Sequence, residues 1–329
     1  HMMAGGHSCE QEFDVDAAVT SAGEVLGLRI RDTDDVGGSV STLTIHFTNK
    51  LNNLFNTYKV RHLRLEGRSV LTNKCPVVPN RGIGKPGMCF VWERTMDRIA
   101  QELGLDPLEV RRRNLIAADQ FPYTTPNGNI YGSGDYQTLL DKVVANVGYT
   151  EVRQRQAEQR KSGGPPSESR GVKVGPYTGI GVVIGVEPGG RNAARDMAIF
   201  PNSKQMPGAG GVEGATLKIE KNGSVVLTLG SPSCGQSHET TASQIVADTL
   251  GVAPERVSLA GTFDTALSPW GVSSSNSGNN FHLYDVGAVH GVATRLRDKV
   301  LTLAAHVLNA DKSELHIEDG VVHVGQSTG

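Results

Sequence analysis

Apolar and polar residues alternate from Ala215 to Leu229 on both sides of Asn222-Gly223, which predicts a β-hairpin with a two-residue turn. Just downstream the period changes. Ala242, Ile245, Val246 and Leu250 recur at helical spacing, and Gly251 is placed to cap the helix C-terminus. The same two rhythms run along the rest of the chain. Glu12–Arg31 alternates around Ala22-Gly23 and predicts a hairpin, while Val60–Thr72 predicts strands flanking Gly67. Leu43–Phe47 is a short strand-like run, and Leu51–Tyr58 is ambiguous. Helices are expected at Phe90–Leu103, from Asp106 (N-cap) and Pro107 (first helical position), and at Tyr136–Val147. Gly179–Val186 reads as a buried strand opening a second domain, and Val257–Ala260 as another strand. A long helix is predicted over Asp285–Leu308 and a last hairpin around Asp319-Gly320. This mixture of hairpins and helices implies an α+β fold. Arg153–Lys161 is polar and Ser162–Ser167 is linker-like, so the expected division is a domain over 4–160, a linker over 161–171 and a domain over 172–329.

Composition narrows the function classes. With 329 residues the chain can bury a substantial core, and a net charge of −2 gives no sign of a nucleic-acid or membrane partner. Forty glycines against 5% aromatics favour tight turns and close backbone approaches. No apolar run is long enough to span a bilayer and no secretory signal is evident, so the expected location is cytoplasmic. Cys9, Cys75, Cys89 and Cys234 contain no CxxC pair and read neither as an iron–sulfur or zinc site nor as a disulfide framework. His1-Met2-Met3 reads as a vector remnant.

Three stretches carry candidate chemistry. Gly230–Thr241 joins the hairpin to its helix through a small, glycine-containing turn. Such a turn leaves backbone N–H groups without partners at a helix start, where the dipole also favours an anion. It displays Gln236, with two donors and an acceptor. That suits a phosphorylated, heteroatom-rich cofactor; a tight strand-to-helix turn with a surface glutamine is the reading these residues favour when taken by themselves. Asn80–Gly87 is a glycine-rich loop carrying Arg81 and Lys85. Arg111-Arg112-Arg113 is a solvated or ion-paired helix face in preference to a phosphate clamp.

Taken in order, these pieces stop looking independent. Gly235-Gln236…Thr240 resembles the Gly-Gln-Gly-x-x-Thr segment of the molybdenum hydroxylases, the xanthine dehydrogenase/aldehyde oxidase/carbon monoxide dehydrogenase large-subunit family. Thr72-Asn73-Lys74-Cys75-Pro76 with Arg81-Gly82-Ile83-Gly84-Lys85-Pro86 resembles that family's Thr-Asn-Lys-x-Pro…Arg-Gly-x-Gly-x-Pro. Glu93-Arg94-x-Met96-Asp97, Leu103-Gly104-x-Asp106-Pro107, Arg112-Arg113-Asn114-Leu115, Phe121-Pro122-Tyr123 and Ser133-Gly134-Asp135-Tyr136 continue the match. It runs from about Glu10 to about Val324.

The resemblance implies two mixed α/β domains that bind molybdopterin, alone or as its cytosine dinucleotide. It places Gln236 beside the molybdenum and Arg81 near the metal or substrate. Ile83, where an aromatic is commoner, would border the substrate channel. Gly235, Ser237, Thr240 and Gly82 would line the cofactor, and a gapped match puts the pterin-holding loop on Gly278, Asn279 and Asn280. The metal would be held through the pterin, with no direct protein ligand. The implied activity is oxidative hydroxylation of an N-heterocycle, aldehyde or related small molecule, with water as oxygen source. Electrons would leave through 2Fe-2S and FAD groups on partner subunits.

Departures temper the carry-over. Ser237 replaces the second Gly of Gly-Gln-Gly, a change expected to require ordinary dihedrals there, and Gly87 replaces the usual acid. The family's Phe-Gly-Gly-Lys segment would precede this chain and its catalytic glutamate would follow it, since Glu239, Glu314 and Glu318 do not sit in that motif. The chain alone is therefore expected to be inactive without chains carrying those parts. The competing reading is a non-catalytic structural or assembly subunit.

Overall fold

The computed structural model describes residues 10–38, 43–78, 82–162, 179–187, 189, 213–260, 264–270 and 277–325. The chain divides into two compact units. One is His1–Pro188 with Asn192–Lys204, and the other is Gly189–Arg191 with Gln205–Gly329.

The first unit is built on a three-stranded sheet. Strands β1 (Glu10–Val19) and β2 (Val25–Gly37) form the predicted hairpin, in register from Glu10 opposite Asp35 to Val19 opposite Val25. Strand β3 (His62–Leu71) lies parallel to β2, Leu28 opposite Leu63, so β2 is central. Val60–Thr72 therefore holds one strand, where two were expected. It runs through Gly67, where a Cβ would sit 1.7 Å from the Phe47 ring, so the position admits only glycine. Phe47 belongs to helix α1 (Leu43–Lys50), which replaces the strand expected at Leu43–Phe47. Leu43, Ile45 and Phe47 alternate with Thr44 and His46, which is the strand period, but five residues are too few for that pattern to prevail over tertiary context.

Helices α2 (Lys85–Leu103), α3 (Pro107–Asn114), α4 (Tyr136–Val147) and α5 (Tyr149–Ser162) follow, with a short β4–β5 ribbon (Tyr123–Thr124, Ile130–Tyr131) between α3 and α4. Asp106 caps α3 as its sequence position predicts, accepting from the Leu108 N–H at 2.7 Å. The polar stretch Arg153–Lys161 is helical in α5. The unit's core gathers Ile30, Tyr58, Met88, Trp92, Met96, Val110 and Ile116. Each fully buried aliphatic side chain there contributes about 1.5–3 kcal/mol.

Gly179–Glu187 is not a strand. Ile184 and its neighbours Ile180, Val182 and Val186 pack into this same core. The Asn56 side chain holds the run by donating to the Ile184 carbonyl (3.0 Å) and accepting from the Val186 N–H (3.2 Å). Its apolar residues thus serve the first unit, not the opening of the second.

In the second unit, β6 (Ala215–Ile219) and β7 (Val225–Leu229) form the predicted hairpin, and β8 (Val257–Leu259) pairs parallel to β7. Helix α6 (His238–Leu250) makes the crossover between β7 and β8. Gly251 ends it in the left-handed region (φ 67°), where a Cβ would lie 2.3 Å from the Ile317 carbonyl oxygen. Helix α7 (Val286–Leu308) packs with α6 over the sheet, around Val225, Leu227, Val246, Val289 and Ala293. The β9–β10 hairpin (Leu315–Glu318, Val321–Val324) turns at Asp319-Gly320 as expected.

Candidate functional site

Two groups of buried polar residues stand out, one in each unit. In the first unit the inward row of β2 reads Leu28, Ile30, Asp32, Asp34, Val36, changing from apolar to charged midway. Lys50, fully buried on α1, pairs with Asp32 and with Asp34 (2.6 Å), and its ammonium lies 5.3 Å from the Phe13 ring centroid. His46 Nδ1 and Gln11 Nε2 also reach Asp34, at 3.3 and 2.9 Å. Burial pushes the Asp32 carboxyl up to about 6 against the pull of Lys50. Burial would raise Asp34 too, yet hydrogen bonds from His46, Lys50 and Gln11 hold it well below the usual carboxylate range. Close by in the sequence of α2 and α3, Glu93 accepts from Tyr58 (2.7 Å) and Arg111 (2.9 Å), and Arg111 also pairs with Asp97 (3.0 Å). Arg112 pairs with Asp141, and Arg113 donates to the Ala22 carbonyl. The arginine run is an ion-paired helix face, as its composition suggested. These charges satisfy one another inside the fold.

The second group surrounds the Gln236 turn, at the carboxyl end of β7 and the start of α6. In open sheets with parallel strands joined by helical crossovers, this end of the strands is where ligands bind. The tip of the turn is exposed from Pro232 to Ser237. Gly235 has φ 97° and open space where a Cβ would stand, nothing lying within 4 Å. Gln236 Oε1 accepts from the Cys234 N–H at 2.6 Å, which folds the side chain over the turn. Ser237 takes a left-handed conformation (φ 58°, ψ 46°) and gives α6 no side-chain cap. That corrects the expectation of ordinary dihedrals at Ser237: the backbone here keeps the geometry a glycine would adopt, at a cost of about 1–2 kcal/mol for a residue with a Cβ. Thr240 is exposed in the first turn of α6.

The foot of the turn is buried. Ser231 Oγ donates to Asp285 Oδ1 at 2.8 Å. His238 hydrogen-bonds the Ser231 backbone and stacks on Phe281, with ring centroids 3.8 Å apart and planes 8° apart. Burial lowers the His238 pKa, favouring the neutral ring. Burial likewise pushes the Asp285 carboxyl up to about 6, with Glu213 reinforcing and the Ser231 hydrogen bond opposing. Phe281–Asp285 form one π turn ahead of α7, directly after Gly278 (φ 61°), Asn279 (φ 58°) and Asn280. The structure therefore ties two of the segments singled out in the sequence, 235–240 and 278–280, to one buried foot. Ser231, His238, Phe281 and Asp285 were not singled out from the sequence. Asp285 looked like the first residue of a helix, where an acid signals a cap; it makes no cap and turns inward instead.

In the first unit, Gly82 (φ 97°) and half-buried Ile83 lead into α2, and Gly84 is closed in by the His46 carbonyl, 2.3 Å from where a Cβ would be. Arg81 lies outside the described residues. So do most of the linker and the loop through Gly208–Gly211. Among the described residues no group of three or more His, Cys, Asp or Glu is placed to hold a metal ion. No described helix is long and apolar enough to cross a membrane.

Two molybdopterin cofactor-binding domain families match the chain, one over residues 1–115 and the other over 142–329. The chain belongs to the molybdenum hydroxylase family. It corresponds to the molybdopterin-binding region of that family. The nicotine 6-hydroxylase large subunit of Paenarthrobacter nicotinovorans is 29% identical over 98% of this chain and 37% of its own length. The carbon monoxide dehydrogenase large chain of Hydrogenophaga pseudoflava is 30% identical over 94% of this chain and 37% of its own. Among solved structures, quinoline 2-oxidoreductase from Pseudomonas putida 86 superposes with a TM-score of 0.78 at 29% identity, covering 98% of this chain and 39% of that one. The chain thus spans a little over a third of the length of these relatives. A Cu,Mo-CO dehydrogenase shares the fold, with a TM-score of 0.74 at 24% identity.

Proposed function

We propose that this chain is the cofactor-holding part of a molybdenum hydroxylase that oxidises a small N-heterocycle, aldehyde or related molecule with water as oxygen source. The observation that carries the reading is the exposed Gly235–Ser237 turn. It joins open space over Gly235, a left-handed Ser237 and an uncapped helix start. These features fit a pterin dithiolene with its phosphate: the helix start carries no side-chain cap, and the backbone leaves room for close approach. When bound, the molybdenum centre supplies the two-electron oxidation and an activated oxygen.

The chain's own residues do the holding. Gln236 offers an uncharged amide that orients polar atoms of the centre without altering its charge. Thr240, Asn279 and Asn280 add hydroxyl and amide groups, and Gly82, Gly235 and Gly278 permit close approach. Arg81 carries the guanidinium suited to negative charge developing on the substrate, and Ile83 borders the channel. The general base, the 2Fe-2S groups and FAD belong to other segments or subunits of a cytoplasmic assembly, in which molybdopterin is carried alone or as its cytosine dinucleotide. The names of the relatives support this reading, two of them being large subunits or chains.

Metal analysis with fluorescence detection of oxidised pterin tests it, on the chain alone and co-expressed with its genomic neighbours. Molybdenum in the co-expressed complex is the expected result. An intact complex without molybdenum would favour the structural-subunit alternative.

A further inference from the structure

The exposed turn 232–237 is closed at its foot by Ser231 and His238, and that foot is joined at two points to one π turn. Ser231 Oγ donates to Asp285, and the His238 ring stacks on Phe281, four residues before Asp285. All four residues are buried, Asp285 completely, while the turns they join, at 235–237 and 278–279, are exposed. A single hydrogen bond would leave the two turns free to hinge about it. A hydrogen bond and a ring stack one helical turn apart remove that freedom.

We propose that Asp285 and His238 are positioning residues that hold the Gln236 turn and the Gly278–Asn280 turn at a fixed spacing for a shared ligand. The ligand is taken as the pterin, so this step rests on the proposed function; the spacing itself does not. Ser231 is the node, giving its hydroxyl to Asp285 and its backbone to His238. A rigid, buried support beneath exposed contact groups is what precise ligand placement requires, since loss of about 1 Å in placement is enough to spoil a site.

Two readouts test it. The first is hydrogen exchange on the chain itself, at the Cys234 and Thr241 amides in and after the Gln236 turn and at the Val286 amide closing the π turn. The Gly251 amide, at the far end of α6, is the control. The second is molybdenum and pterin content of the co-expressed complex. Asp285→Leu is expected to speed exchange about tenfold or more at all three amides while Gly251 holds, and to lower cofactor content. His238→Ala should act the same way. Asp285→Asn, which keeps the acceptor for Ser231, should restore both readouts. If Asp285→Leu does not fold, Ser231→Ala removes the same hydrogen bond by deleting one hydroxyl. Unchanged exchange at Cys234 and Thr241, or equal acceleration at Gly251, would overturn the proposal. Gln236→Ala separates the two ideas: unaltered cofactor content and turnover in that variant count against the contact assigned to Gln236, while the exchange readout still decides the spacing.

Discussion

Both units bury charged residues, but they do so to different ends. In the first unit Lys50 sits between Asp32 and Asp34, and Arg111 between Glu93 and Asp97, so charge is met by charge within the fold. Asp34 and Glu93 each take several partners. In the second unit the buried Asp285 has a hydroxyl for a partner in place of a cation, and a neutral histidine lies beside it. Directly above stand Gly235 and Ser237 in left-handed conformations. Burial of charge alone therefore does not mark a site. A buried carboxyl without a cation beneath strained and exposed backbone does, because each is unfavourable unless something else makes use of it.

The largest expected effect probes the first unit. Lys50→Met leaves Asp32 and Asp34 buried without their cation, and should cost about 3–5 kcal/mol. Urea denaturation at pH 7 measures it, and a loss under 1 kcal/mol would mean the carboxylates do not depend on Lys50. Lowering the pH should rescue the variant in part, since protonation removes the stranded charge.

Next comes the pH dependence of the second unit. Asp285 is raised from its ordinary value to about 6, so the folded state holds its proton longer than the unfolded chain does. Its contribution is fully present below about pH 4 and is lost as pH rises toward 6, a total of roughly 3 kcal/mol at most. Asp285→Asn should flatten this slope and be more stable than the parent at pH 7. In the first unit Asp32 is raised and Asp34 lowered, so their slopes run in opposite directions, Asp34 gaining below pH 4 what Asp32 loses above it. Between pH 4 and 7 denaturation reads Asp285 and Asp32 together, both contributions falling, and following it below pH 4 adds the opposite slope of Asp34; an unchanged slope in Asp285→Asn would place the titrating group elsewhere.

Smaller again, Ser237→Gly should stabilise the second unit by about 1 kcal/mol by relieving a left-handed serine. Thermal unfolding reads this directly, and a destabilised variant would show that the serine hydroxyl compensates. The smallest effect on stability belongs to Gln236→Ala, within about 0.5 kcal/mol because the side chain is exposed. Its effect on the assembled complex should be the opposite, with molybdenum content or turnover falling. An unaltered complex would count against the role assigned to Gln236.

How much of this was legible beforehand depends on the range of the forces involved. The Asn222-Gly223 hairpin, the Asp106-Pro107 helix start and the Gly251 stop are local, and each sits where the sequence put it. Leu43–Phe47 was misread because its short alternation carries the strand period, whereas in the fold it is helical with the Phe47 ring packed on Gly67. The run at 179–187 was misread for a related reason: its apolar residues announce burial, not which core they enter. Ser237 was read from its side-chain type, whereas the surrounding turn dictates its backbone.

What the sequence determined by itself is therefore the α+β alternation, the local caps and turns, and membership of the molybdenum hydroxylase family, since motifs in a fixed order survive as a linear record. Tertiary structure alone decided that Asp32 and Asp34 face inward onto Lys50, and that Ser231 meets Asp285 across 54 residues of chain. No local preference asks a strand to bury two carboxylates, or a helix start to turn its acid inward. Those choices become favourable only when a partner arrives from elsewhere in the fold, because burying a charged or polar group costs free energy until its hydrogen bonds are met.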